Sequence, residues 1–171
     1  MNKLIIPLII VLAAVTRLIP HPPNFTPIIA MGLLGGAYLQ NRSLAVCIPI
    51  CAMFLSDLFL GLHGAVYWVY GSLLLVVMIG MLLSNRINIR NCTWAVLSGT
   101  FLFFIITNFG VWISSPYYPK SLEGMITCYT LALPFFGNTL AGSLIYSAIM
   151  FGGYELLKQK LLQFSAETIQ K

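Results

Sequence analysis

Acid is almost absent from this chain. Its 171 residues hold four Asp or Glu against nine Lys or Arg, and charged residues of both signs make up only 8%. A soluble domain carries roughly 25% charged residues, so this composition excludes an ordinary water-exposed surface and belongs to an integral membrane protein. Paired cysteines are missing as well: Cys47, Cys51, Cys92 and Cys128 lie in or beside apolar stretches with no CxxC, and read as buried free thiols. No GxGxxG, GxSxG, Walker loop or HExxH occurs, so no recognised nucleotide, serine-hydrolase or zinc-protease motif is present. If the protein moves a solute uphill, ATP is hydrolysed elsewhere. Low-complexity segments and runs of one charge sign are also lacking, so the net charge of +5 speaks for membrane topology rather than nucleic acid.

What is there is apolar: 59% of the residues are hydrophobic. A membrane helix needs about 20 mostly apolar residues. That length places spans at roughly 4–20, 26–40, 44–62, 65–84, 93–114 and 136–157 in one transmembrane domain covering 1–171. The first apolar run continues into Arg17 without a small-residue cleavage site, which predicts a retained helix rather than a signal peptide. Pro134 predicts a bend, with a short helix or loop before it and the sixth span after it. The fold class is therefore all-α, with six transmembrane helices.

Charge sorting then orients the chain. Lys3, Arg42, Arg86, Arg90, Lys158, Lys160 and Lys171 fall on one side, against Lys120 and the boundary residue Arg17 on the other. Both termini are expected in the cytoplasm. The connectors near 21–25, 61–65 and 114–125 then face outward, with Tyr67, Trp68, Tyr70, Trp112, Tyr117 and Tyr118 near the interface. These outward connectors carry nearly all the unusual residues, so a small-molecule site should open there.

Asp57 is the only acid in the first five spans, and a carboxylate in hydrocarbon costs about 2.5–3.5 kcal/mol on insertion scales. It either caps a helix end or faces a partner, and Arg17 is the candidate. Asn108 and Asn138, with Thr139 beside it, must bond a neighbouring helix or a ligand. His21 and His63 stand in outward connectors, but two lone histidines do not specify a metal, and no metal site or cofactor is expected. Small residues recur as Gly32 and Gly36 in the second span, Ala13 and Ala14 in the first, and Ala141 to Ser143 with Ser147 in the sixth. Such faces let helices approach closely, by default inside the chain.

In "RLIPHPPNFTP", Pro20, Pro22 and Pro23 forbid a helix, and Pro27 suits the first turn of the next one with Thr26 or Asn24 as cap. Arg17, His21 and Asn24 do not follow from that structural role. They read as one wall of an outward pocket facing Asp57.

The stretches "RLIPHPPNFTPIIAMGLLGGAYL", "MFLSDLFLGLH", "WVYGS", "TNFGVW" and "PFFGNTLAGSLIY", between about 17 and 153, resemble an uncharacterised family of small bacterial membrane proteins. That family is grouped with the S components of energy-coupling factor (ECF) transporters. The resemblance implies a six-helix bundle in the bacterial inner membrane, binding a vitamin or similar micronutrient at its outward connectors. It also implies association with a separate coupling protein and paired ATPases, commonly through small alanines on the first helix. Here Ala13 and Ala14 stand at that place, without a clean AxxxA.

The expected site comprises Arg17, His21, Asn24, Asp57, His63, Asn108, Tyr117 and Asn138, taking a neutral or anionic organic molecule rather than a bare cation. Two other readings compete. A membrane scaffold of the cell envelope, without ligand transport, would pack residues 17–27 flat with every polar group satisfied. An intramembrane enzyme would need a second carboxylate or a histidine beside Asp57 within the helices, which the sequence does not offer, so no catalysis is expected.

Overall fold

The computed structural model of the chain describes residues 4–61 and 64–169. Among them the fold is entirely helical: α1 (Ile5–Thr16), α2 (Ile28–Tyr38), α3 (Arg42–Leu60), α4 (Val66–Leu83), α5 (Ile89–Ser114) and α6 (Leu122–Ile169). Four of these, α3 to α6, are long and apolar enough to cross a membrane. The outer surface agrees, since Leu8, Phe59, Leu82, Trp94 and Ile149 are all more than half exposed and could not face water in such number. The chain is a membrane protein.

α1 and α2 are shorter than the sequence predicts. At 12 and 11 residues they span about 18 and 17 Å, well under the ~30 Å hydrocarbon core. For α1 the apolar run continues past Thr16, but Pro20, Pro22 and Pro23 end the helix. α2 does not need to reach lipid: every residue from Ile28 to Ala37 is buried. It packs against all five other helices and forms the axis of the bundle.

Glycine is what lets α4 come so close to that axis. A Cβ on Gly36 would lie 2.2 Å from the Val77 carbonyl oxygen, and one on Gly80 would lie 2.5 Å from that of Leu33, so the α2 and α4 backbones touch. Gly35 meets Pro49 of α3 in the same way, at 2.7 Å from its Cγ. The small residues of the second span thus pack internally.

α6 corrects the reading of Pro134. The helix runs unbroken through the proline, and at 48 residues it is about 72 Å long, far more than a bilayer needs. Proline removes one backbone hydrogen bond, but α5 holds α6 on both sides of the gap. Before it, the Tyr129 hydroxyl donates to the Ile105 carbonyl at 2.7 Å, and after it Phe136 packs on Phe104 with ring centroids 4.8 Å apart. Tertiary contact carries the helix through. The expected caps of α2 also differ: Pro27 is its N-cap and no side chain bonds there. Asn41 and Asn88 do cap, accepting from Ser43 and Leu44 at the start of α3 and from Asn91 at the start of α5.

Candidate functional site

Arg17 ends α1, and Asp57 sits one turn before the end of α3, where Gly61 at φ 90° closes the helix by donating to the Asp57 carbonyl at 2.8 Å. These two helix ends meet. Arg17 Nη2 lies 2.7 Å from Asp57 Oδ1, with 8% and 2% of the two side chains exposed. Arg17 Nη1 donates to Ser56 Oγ and, at 3.3 Å, to the Met53 carbonyl. The other carboxylate oxygen of Asp57 accepts the Tyr70 hydroxyl of α4 at 2.8 Å. The guanidinium holds the carboxylate through Nη2 alone, and Arg17 Nε stays buried without a partner. Three helices are pinned by one neutral ion pair.

Residues 18–27 leave this junction and cross to α6. A stripe of α6 spaced four residues apart receives them. Asn138 donates its side-chain amide to the Pro23 carbonyl at 3.0 Å. A Cβ on Gly142 would come within 3.0 Å of the Thr26 backbone nitrogen, so the loop backbone lies directly on the helix there. Tyr146 packs against Phe25 with centroids 5.9 Å apart, and takes the Thr16 hydroxyl at 2.9 Å. Asn24, at φ 63°, turns the chain in the left-handed region that asparagine tolerates better than most residues.

Beneath this loop lies a cavity of about 360 Å³, within the range of small-ligand sites. Its walls are Arg17, Asn24, Thr26, Ile28, Ile29, Met53, Ala65, Val69, Phe103, Phe104, Thr107, Asn108, Val111 and Thr139. Of the expected site residues, Arg17, Asn24 and Asn108 line it. Asp57 stands behind Arg17, and Asn138 fixes the loop from outside. His21 does not belong: its Nδ1 contacts the carbonyl of Pro22, its own neighbour. Tyr117 does not either, being 84% exposed in the connector after α5. His63 lies outside the described residues.

Thr107, Met53, Phe103 and Phe104 join the site without having been anticipated. Threonine and aromatics in an apolar helix carry little signal, although Phe104, Asn108 and Val111 recur at helical spacing and mark one face.

A larger cavity, about 970 Å³, opens at the far ends of α2 and α5, where Tyr38, Cys92 and Glu155 line it. The Tyr38 hydroxyl donates to Glu155 at 2.7 Å, and Lys158 lies 3.3 Å from the same carboxylate.

Ala13 and Ala14, expected as a partner surface, are instead buried in the chain's own core at 7% and 5% exposure, where α1 meets the rest of the bundle. Among the thiols only Cys128 is fully buried, whereas Cys47 and Cys51 are exposed on α3 and Cys92 is intermediate. Four residues apart, that pair lies on an outer helix face, which is why it escapes the core. Among the described residues no three His, Cys, Asp or Glu side chains come together as a metal would require.

Residues 1–166 match the family described as "Family of unknown function (DUF6580)", and the chain belongs to that family. No curated protein and no solved structure matches it.

Proposed function

We propose that this DUF6580 member is a substrate-binding membrane subunit of a vitamin-like micronutrient uptake transporter, similar to an ECF S component. In this reading it lies in the bacterial inner membrane with six spans. Both termini are cytoplasmic, and the loop at 18–27 faces outward, so that the cavity beneath it meets substrate from outside. α1 and α2 complete their crossings with the non-helical residues that flank them. A coupling protein and ATPases supply the energy. With Ala13 and Ala14 buried, docking on α1 falls to the exposed residues Leu8, Leu12 and Val15.

The observation that carries the proposal is the cavity itself. A buried ion pair, residues of five helices and a proline-stiffened loop frame a ligand-sized space and leave it unfilled. Asp57 is committed to Arg17 and Tyr70, which supports a positioning carboxylate and not a reactive one.

The test is native mass spectrometry and metabolite profiling of the gently extracted protein. Wild type is expected to carry one small organic molecule, and Asn108→Leu, which keeps the side chain's shape but removes its hydrogen-bonding atoms from the cavity wall, to lose it at unchanged helix content. Wild type that retains no molecule under any extraction condition would sink the proposal.

The scaffold reading keeps one observation in its favour: the loop is fastened to α6 by Asn138 and Gly142. Against it, Arg17 Nε is unsatisfied in the same region.

A further inference from the structure

A buried arginine in a pocket wall suggests an anionic ligand. The charge balance here argues otherwise. Among the described residues lining the cavity Arg17 is the only ionisable one, and Asp57 neutralises it from behind at 2.7 Å. Ser56 and Met53 take further guanidinium hydrogens. Among the described residues of this wall a carboxylate or phosphate would find no uncompensated positive charge, and an ammonium no uncompensated negative one. Either would be desolvated without a counter-ion, the costliest event in a low-dielectric site.

The neutral groups of the wall have a polarity of their own. The Asn108 side-chain amide donates one hydrogen to the Phe104 carbonyl at 2.8 Å, which leaves its oxygen as acceptor and its second N–H as donor. The hydroxyls of Thr107 and Thr139 are spent as donors, on the carbonyls of Phe103 and Phe135 at 2.8 and 2.9 Å. Each hydroxyl retains only lone pairs for a guest. Acceptors at Asn108, Thr107 and Thr139 thus border a space that Asn24, Thr26 and Arg17 also line, with Phe103 and Phe104 beside Val69 and Val111 as its apolar wall.

We infer that the cavity takes an uncharged, flat-sided molecule that both donates and accepts hydrogen bonds, of the primary amide or amino-heterocycle class, and discriminates against carboxylates and ammonium ions. This rests on the proposal that the cavity is a ligand site.

Four probes with one ring test it in nanodisc-reconstituted protein: benzamide, benzoate, benzylammonium and N,N-dimethylbenzamide, with affinities read by ligand-detected NMR. Benzamide is expected to bind at least tenfold tighter than the other three. Asp57→Asn uncovers the Arg17 charge and is expected to raise benzoate affinity relative to benzamide by tenfold or more. The double variant Arg17→Gln/Asp57→Asn is neutral again and should restore the wild-type order.

If the single variant does not fold, the wild-type ranking and the double variant still decide the matter. Benzoate or benzylammonium binding best to wild type overturns the inference and leaves the site reading intact. Equal binding of the dimethylated amide overturns the donor requirement. Wild type that binds none of the four and retains no molecule on extraction overturns the inference and the site reading together.

Discussion

The two ends of α2 are held by opposite means. At the Ile28 end, polar joints do the work: Arg17 with Asp57 and Tyr70, and Asn138 with the Pro23 carbonyl. Toward the Tyr38 end, backbone meets backbone, with Gly36 against Val77 and Gly80 against Leu33. The ion pairs follow the same division. Arg17–Asp57 is closed off from solvent at 2.7 Å, while Lys158–Glu155 spans 3.3 Å with more than a third of each side chain exposed. Glycine contact removes space by bringing helices together. Directional bonds fix helices at a distance, and so they can frame a cavity that close packing would erase. The polar end accordingly holds the cavity beneath the loop, while the wider space near Tyr38 lies to the side of the glycine contact, between the start of α5 and α6.

The comparison breaks most readily at Asp57. Replacing it with Ala leaves Arg17 charged, buried and unpaired, and loss of one partner of a buried pair costs about 3–5 kcal/mol. Asp57→Ala should therefore unfold at much lower denaturant than wild type in a detergent-based unfolding assay, and an unchanged midpoint would mean that the pair does not hold this end.

Gly36→Val tests the other end. The added side chain collides with the Val77 carbonyl, and overpacking of this kind costs about 1–3 kcal/mol. The same assay should show a smaller loss than at Asp57, with ligand retention preserved because the cavity lies at the opposite end of α2. The smallest effect is expected at Lys158→Ala. An exposed pair contributes about 0–1 kcal/mol, so its unfolding midpoint should stay close to wild type, and a large drop would contradict the division between buried and exposed pairs.

Much of this was legible in the sequence, for a physical reason: apolar length and rare charge are strong signals in lipid. α3, α4 and α5 fall close to their expected bounds. The Arg17–Asp57 pairing follows from the cost of isolated charge in an apolar chain. Asn24 and Asn108 were legible as polar groups lacking an obvious role, and both line the cavity.

What the sequence hid depends on neighbours. Pro134 reads as a helix breaker in one dimension, yet α5 bridges it in three. The shortness of α2 is tolerable only because other helices enclose it. Tyr117 and His21 looked chemical because they stood in outward connectors, but a connector residue turns inward only where packing makes room. Thr107 gave no sign, since a threonine bonded to its own helix is commonplace until a second helix faces it.

The stripe Asn138, Gly142 and Tyr146 also sets a timetable. Asn138 reaches back across 115 residues to Pro23, and Tyr146 across 130 to Thr16. During synthesis at about 5–20 residues per second, the loop at 18–27 emerges several seconds to roughly half a minute before its seat on α6 exists. A ribosome stalled between α5 and α6 leaves most of the bundle but no finished pocket, so competence to bind arrives last, with the final helix.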